Sequence, residues 1–577
     1  MNLLPPEAGA RYDDAETAKS ALREHGTAQG YEIIALRSLN YVDGVAMRHD
    51  LVCGCSITSK RASTSKGLRR ASSKKTGCPF KLKLLYRKSV GAWVVEVVCG
   101  THNHQPHELR GLPDARLYHR QQHLEQIDEL RRMPQMTARG IKDALKRKDP
   151  DCPLTYKDVE NIVQTMRRED LGDHTASQAV LKQLHEARVP HKMILGDNNE
   201  LKALFCLLDP KLESWERFPH VLMMDVTHGT NRFNWKLLEI SGITHFGTVF
   251  PVAFALSPDE NEPFFRWALQ AFDSYLQTTV QRLYGEDDGL LLQPLVVLTD
   301  YTHASRNAVM KVFPEAQLQL CTWHISKCII KATREKWQGT AAPDDVLTPR
   351  EMTDEAAGIT TQQHHEFNRK SFLEGFRGLM YAPSIDDFNQ RWADLKADFP
   401  EQDGFGSVVD HIRTYYMPLR AQWAGPWVQT YRNYGHVTTS PNEAQHSSTK
   451  TFLTKRTADL YDLVHALWNQ CFTAKESYKE RAAHEGSRSR NIYRIPLYYN
   501  VVEHLTWKAL DTTHEQTKMA IASLTRAAKP LKACTGNFFR QYGLPCAHII
   551  ISQLRLEEGR VCCTTPLSVA QFDPFWL

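Results

Sequence analysis

Apolar and polar positions follow several different rhythms along the chain. Between about Tyr31 and Pro106, short β-like runs (YEIIAL and AWVVEVV) alternate with polar, Cys/His-bearing stretches. From about Leu124 to Arg168 the apolar spacing predicts helices over IDELRR, ARGIKDALKRK and TYKDVENIVQTMRRE. Thr155 is the expected N-cap of the last helix, Asp158 sits near its start, and Pro150 and Pro153 break the chain before it.

From about His191 to Glu480 strand and helix patterns alternate. HVLMMDVT (His220–Thr227) is an apolar run ending in an acid, as in a buried strand with a carboxylate at its rim. KLLEISGITHFGTVFPVAFAL reads as two strands turning at HFG, with Gly247 as the turn residue. PFFRWALQAFDSYL is helical in spacing, PLVVLTD (Pro294–Asp300) is a second apolar strand ending in an acid, and QLQLC (Gln317–Cys321) suits a further strand. The order strand, strand, strand, helix, strand, helix, strand outlines an α/β, RNase H-like core, a mixed sheet flanked by helices.

Bulk properties narrow the class. A chain of 577 residues predicts two to four domains, and 42% hydrophobic with 10% aromatic content argues against wholesale disorder. No apolar stretch reaches eighteen residues and the N-terminus lacks a signal-peptide pattern, so a soluble intracellular protein with no membrane partner is expected. The thirteen cysteines then read as buried residues or metal ligands rather than disulfides. Net charge is only +5, but Ser56–Lys88 holds eleven Lys/Arg and no acid. Such a run suits phosphate contact: Lys60, Arg61, Lys66, Arg69, Arg70, Lys74 and Lys75 are the candidate DNA-binding residues. It also reads as a bipartite nuclear-import signal, predicting a nuclear protein.

Asp225 and Asp300 each end an apolar strand, and adjacent strand ends bring carboxylates within reach of a hard cation. A third acid completes a two-metal site, and Glu443, in SPNEAQHSSTKTFL, opens a helical stretch that could supply it. Isolated strand-end acids are nevertheless common in α/β proteins.

DVTHGTNRFNWKLLEISGITHFGTVFPVAFAL, LTDYTHASRNAVMKVFPEAQLQLCTWHI and TTSPNEAQHSSTK resemble, in order, the three blocks of Mutator-like (MULE) transposases. The resemblance covers roughly the central 250 residues. It implies a DDE transposase with Asp225, Asp300 and Glu443 as catalytic ligands of Mg²⁺ (or Mn²⁺), and an all-helical insertion at about 325–430. It also implies strand cleavage at element ends and strand transfer into target DNA. Cys321 and His324 match a family Cys-x-x-His pair near the centre. With Cys328 they would share one helix face, as the start of a zinc site or, preferably, a metal-free packed face.

Two Cys/His sets flank this core. Cys53, Cys78, His102 and His104 form a two-Cys, two-His zinc set; Cys55 competes with Cys53, which ends an apolar segment, and Cys99 reads as a strand residue. VCGCS, TGCPFKLKL and AWVVEVVCGTHNHQP resemble the far-red-impaired-response finger of the WRKY and glial-cells-missing class, implying Zn²⁺ there. CTGNFFRQYGLPCAH resembles a SWIM finger, matching at Cys534, Cys546 and His548 but with Gly536 in a cysteine position. Three ligands do not close a tetrahedron, so zinc there needs a borrowed ligand or is absent.

The expected organisation is a flexible N-terminus (1–30), a zinc-finger DNA-binding domain (31–110), a helical segment (120–175), a transposase domain (191–480) and a SWIM-like module (490–577). Tyr156–Glu169 would be the groove-reading helix if the helical segment is a helix-turn-helix; a plain linker is the alternative. The expected partners are double-stranded DNA, as element terminal inverted repeats and target, and further copies of the chain. A domesticated DNA-binding regulator without transposition is the alternative function.

Overall fold

The structure, a computed structural model, describes residues 3–56, 74–108, 112–133, 136–285, 292–336, 361–399, 406–439, 442, 446, 447, 449, 450, 453, 458–525 and 530–577. The chain divides into two compact units, Met1–Asp173 and His174–Leu577.

In the first unit Asp14 accepts from the backbone N–H groups of Glu16 and Thr17 and starts helix α1 (Ala15–Gln29), which Gly30 closes at φ +83°. Segment 1–30, expected to be flexible, is therefore largely folded. Its buried helical positions are Ala18, Leu22 and Gly26, a face too small to register as an apolar stripe. An antiparallel sheet follows, from β1 (Arg11–Tyr12), β2 (Ile33–Val42), β3 (Val45–Cys53), β4 (Lys81–Arg87) and β5 (Ala92–Cys99), in the order β1-β5-β4-β3-β2. Its inner face buries Leu51, Leu82, Leu84, Trp93 and Val95.

Four helices complete this unit: α2 (Pro113–Gln122), α3 (Leu124–Arg132), α4 (Ala138–Lys148) and α5 (Tyr156–Leu171). Thr155 caps α5 as expected, and its hydroxyl and the Asp158 carboxylate form a reciprocal capping box. The helices close over a small core that includes Ile127, Ile141, Leu145, Val159 and Ile162.

The second unit is built on a seven-stranded mixed sheet. After α6 (Ala176–Glu186) come β6 (His191–Leu195), β7 (Leu201–Leu207) and a short α7 (Glu213–Arg217). The run expected from the sequence then follows: β8 (Val221–Thr227), β9 (Lys236–Ile243), β10 (Val249–Ser257), α8 (Glu262–Tyr284), β11 (Val296–Thr299), α9 (His303–Val312), β12 (Gln317–Leu320), and then α10 (Thr322–Lys336). The spatial order is β12-β11-β8-β9-β10-β7-β6. β8, β9 and β10 pair antiparallel, whereas β8, β11 and β12 pair parallel. Gly247 takes φ +73° at the β9–β10 turn. Gly242, on β9, lies under the Phe250 ring; a Cβ there would come within 2.3 Å of it.

Beyond β12 the chain turns helical. α10, Thr361–Met380 and Ile385–Asp398 enclose a core of their own, with Ile325, Ile329, Phe372, Phe376, Phe388 and Trp423 buried together. Helix Leu460–Gly486 then packs against β10 and α6. Residues 490–577, read from the sequence as a separate module, bury Tyr498, Leu544, Phe575 and Trp576 in the same core as the large sheet. Among the described residues no helix is long and apolar enough to cross a membrane.

Candidate active site and Cys/His clusters

Asp225 lies two residues before the end of β8 and is 7% exposed. The parallel ladder pairs Val296 with Val221, Val297 with Leu222 and Leu298 with Met223. Continued by two residues, that register sets Asp300 level with Asp225 on strands about 4.8 Å apart. The turn into α9 anchors Asp300: its Oδ1 accepts from the Thr302 N–H (3.3 Å), Thr302 Oγ1 (3.1 Å) and Ser305 Oγ (3.0 Å).

Two further groups, absent from the sequence reading, belong to this place. Glu239 is the antiparallel cross-strand partner of Asp225 and is 4% exposed. Burial, reinforced by the Asp225 charge, pushes its carboxyl up to about 8, although Thr449 Oγ1 donates to it at 3.2 Å. His446 bridges the two acids, with Nδ1 3.6 Å from Asp225 and Nε2 3.5 Å from Glu239. Burial, helped by Lys450, holds it down to about 4. Burial disfavours both charged forms, so the Glu239–His446 contact is a neutral one at pH 7. A single acid in the middle of an apolar strand was the available signal for Glu239.

Glu443 lies outside the described residues. Asn442 beside it is fully buried, and neither end of its amide has a partner among the described residues. Carboxylate and amide oxygens together suit a hard divalent cation such as Mg²⁺.

Cys321 is buried and its sulfur accepts from the Thr439 N–H at 3.1 Å. His324, in the first turn of α10, is held low by burial, which the Asp300 charge opposes, so it lies in the field of that acid. Cys328 lies four residues after His324 on α10, on the same side of the helix. α10 starts after Cys321, buries Ile325 and Ile329, and leaves Cys328 exposed.

Residues 221–328 match the model of the MULE transposase domain. Over 455 residues the chain is 21% identical to Protein FAR1-RELATED SEQUENCE 11 of Arabidopsis thaliana, covering 76% of this chain and 58% of that protein. It is also 23% identical to Protein FAR1-RELATED SEQUENCE 5 of the same plant over 343 residues, 56% of this chain and 41% of that one. The PKS-NRPS hybrid synthetase cheA of Chaetomium globosum is 24% identical over 571 residues, 94% of this chain but 12% of the synthetase. The chain is a MULE transposase-like protein. It spans less than two thirds of each of these relatives.

The first unit of this MULE transposase-like chain gathers Cys53, Cys78, His102 and His104, their ligand atoms all within 4.8 Å of one another. Cys53 Sγ is 3.2 Å from His104 Nε2, and Cys78 Sγ is 3.3 Å from His102 Nδ1. His104 Nδ1–H donates to the Gln105 carbonyl at 2.9 Å, which turns Nε2 toward the sulfur, the usual arrangement of a metal-binding imidazole. Cys53 ends β3 and Cys99 ends β5. Cys55 is also buried and meets His107 at 3.2 Å, forming an overlapping group with His104. His107 was missed because the sequence reading stopped at His104. Of the basic residues, Lys74 pairs with Glu32 and Lys75 donates to the Gly54 carbonyl at 2.8 Å. Lys60, Arg61, Lys66, Arg69 and Arg70 lie outside the described residues.

Near the C-terminus Cys534, Cys546 and His548 also come together, with Cys546 Sγ 3.9 Å from both Cys534 Sγ and His548 Nδ1. His548 Nε2–H donates to the Lys532 carbonyl at 2.7 Å and leaves Nδ1 on the cysteine side. Gly536, at φ +71°, precedes the short helix Asn537–Tyr542. The sulfur and nitrogen donors of these sets suit zinc.

Proposed function

We propose that this chain is a DDE-type DNA transposase, RNase H-like in its core, that cuts double-stranded DNA at element ends and joins the ends to target DNA. Asp225, Asp300 and Glu443 are its catalytic carboxylates. The observation that carries the reading is the parallel β8–β11 register, whose next steps lead to Asp225 on β8 and to Asp300 just beyond β11, inside the segment matching the MULE domain.

Asp225 and Asp300 would hold Mg²⁺ or Mn²⁺, with Glu443 as the third ligand. Such an ion polarises the scissile phosphodiester and makes a bound water or 3′-hydroxyl more acidic. The turn hydroxyls of Thr302 and Ser305 keep the Asp300 carboxylate in place, and the Asp225 position is backed by Glu239 and His446. The N-terminal unit, with Zn²⁺ in the Cys53, Cys78, His102 and His104 set, would bind terminal inverted repeats. The basic stretch would add phosphate contacts whose affinity falls with salt and would direct the chain to the nucleus. Bridging two element ends calls for more than one copy of the chain.

The test is Mg²⁺-dependent cleavage of DNA bearing the element ends, by the native chain and by Asp225→Ala and Asp300→Ala. Cleavage by the native chain alone is expected; equal cleavage by all three removes these acids from the mechanism. The likeness to the FAR1-RELATED SEQUENCE proteins over as much as 76% of the chain favours a second reading, a DNA-binding regulator without transposition. Specific DNA binding with no cleavage by the native chain would decide for it.

A further inference from the structure

We propose that His119, His123, Asp149 and Cys152 form a zinc site of their own in the helical part of the first unit, one that staples α2 to the segment leading into α5. The proposal does not depend on the transposase reading.

The four residues come from two places in the chain. His119 lies in the last turn of α2, and His123, four residues on and hence on the same face, joins α2 to α3. Asp149 closes α4, and Cys152 follows in the loop before Thr155 caps α5. Their ligand atoms all lie within 4.8 Å of one another. His119 Nδ1 and His123 Nε2 approach the same carboxylate oxygen, Asp149 Oδ2, at 3.3 and 3.1 Å. Ligand atoms about 2.0–2.1 Å from one tetrahedral zinc stand about 3.3 Å apart, so these separations match the edges of such a tetrahedron. The other oxygen, Oδ1, accepts from the Asp151 N–H at 3.2 Å, which orients the carboxylate.

The donor set chooses the ion. Two imidazoles and a thiol beside one carboxylate favour zinc over Mg²⁺ or Ca²⁺, and four protein ligands make a closed, structural site. Need supports it as well. The helical core is seven buried residues, from Ile127 to Ile162, and a core of that size commonly depends on a metal or disulfide. Cys152, 3% exposed, is itself one of those seven, so its thiol lies between the helical core and the two imidazoles.

The experiment is zinc content per chain of the purified full-length protein by mass spectrometry. Cys152→Ser and His123→Gln should each lose about one zinc, Cys78→Ser should lose a different one, and Cys78→Ser with Cys152→Ser should lose both. Chelation should also speed amide hydrogen exchange in α5 of the Cys78→Ser chain, and not in the chain that also carries Cys152→Ser. Because Cys152 fills the core, its loss could unfold the helices; His119→Gln then carries the same test with the core intact. Native zinc content in Cys152→Ser, His123→Gln and His119→Gln overturns the site.

Discussion

Glu239 stands directly across from Asp225 on the neighbouring antiparallel strand, and His446 reaches both carboxyl groups. Two acids this close and this buried do not both ionise, and Glu239 is the one held protonated at neutral pH. Glu239→Gln, which copies the neutral acid, should keep stability within about 1 kcal/mol of native. Glu239→Ala should cost about 1–3 kcal/mol by opening a cavity at the buried carboxyl, although Thr449 Oγ1 keeps its 2.6 Å hydrogen bond to Gln470 Oε1. Denaturant unfolding compares the pair; equal losses would mean that Glu239 is ionised.

Asp225 and Asp300 should also register cation binding without DNA. A ligand at a hundredfold its Kd stabilises by about 2.7 kcal/mol, enough to raise the melting temperature by about 2 °C or more in a chain of this size. Mg²⁺ should therefore raise the thermal midpoint of the native chain but not of Asp225→Asn. An identical rise in both would place the cation elsewhere.

The N-terminal finger makes a count. Cys53→Ser and Cys78→Ser should each lower zinc by about one ion per chain, while Cys99→Ser at the end of β5 should leave it unchanged. The adjacent Cys55–His107 pair decides between the two candidate first ligands: if Cys55→Ser rather than Cys53→Ser loses the ion, the ligand set shifts by two residues.

Gly242→Ala pushes a methyl into the Phe250 ring on the paired strand. Overpacking of that kind should cost about 1–3 kcal/mol. Phe250→Leu in the same chain should recover part of the loss, and urea unfolding of the single and double variants measures it.

His245 packs against Phe218 and Phe246, and its Nδ1–H donates to Leu577 O at 3.2 Å. Burial first, then Arg217, depresses it to about 4. The unfolded chain takes up this proton below about 6.5 and the folded chain only below about 4, so stability is lost as pH falls through that window. His245→Gln should show a shallower loss between pH 6.5 and 4; parallel curves would exclude this histidine as the cause.

Much of the sheet was legible in the sequence because β8 to β12 are apolar runs with clear breaks, and because Asp300 directly follows β11 while Asp225 lies two residues short of the end of β8. Thr155 and Asp158 likewise announced the start of α5. What stayed hidden depended on pairing. Glu239 looked like one acid in an apolar strand until the register set it opposite Asp225, and His446 became part of the site only through the fold. β6 passed unnoticed because it leaves Met193, Ile194 and Leu195 exposed, so no alternation marks it. His119 and Cys152 are separated by two helices, and nothing in their local spacing links them.

The burial of Trp576 and Phe575 against the large sheet sets a timetable for synthesis. Domains tend to fold as they emerge, beginning at the N-terminus. The first unit has every residue of its core once the ribosome has passed about 173, whereas the strands carrying Asp225 and Asp300 wait for residues translated some 275 codons after Asp300. Under the proposed function, nascent chains should acquire DNA-binding capacity well before cutting capacity, and a stop placed just before Phe575 should release a protein that still grips DNA.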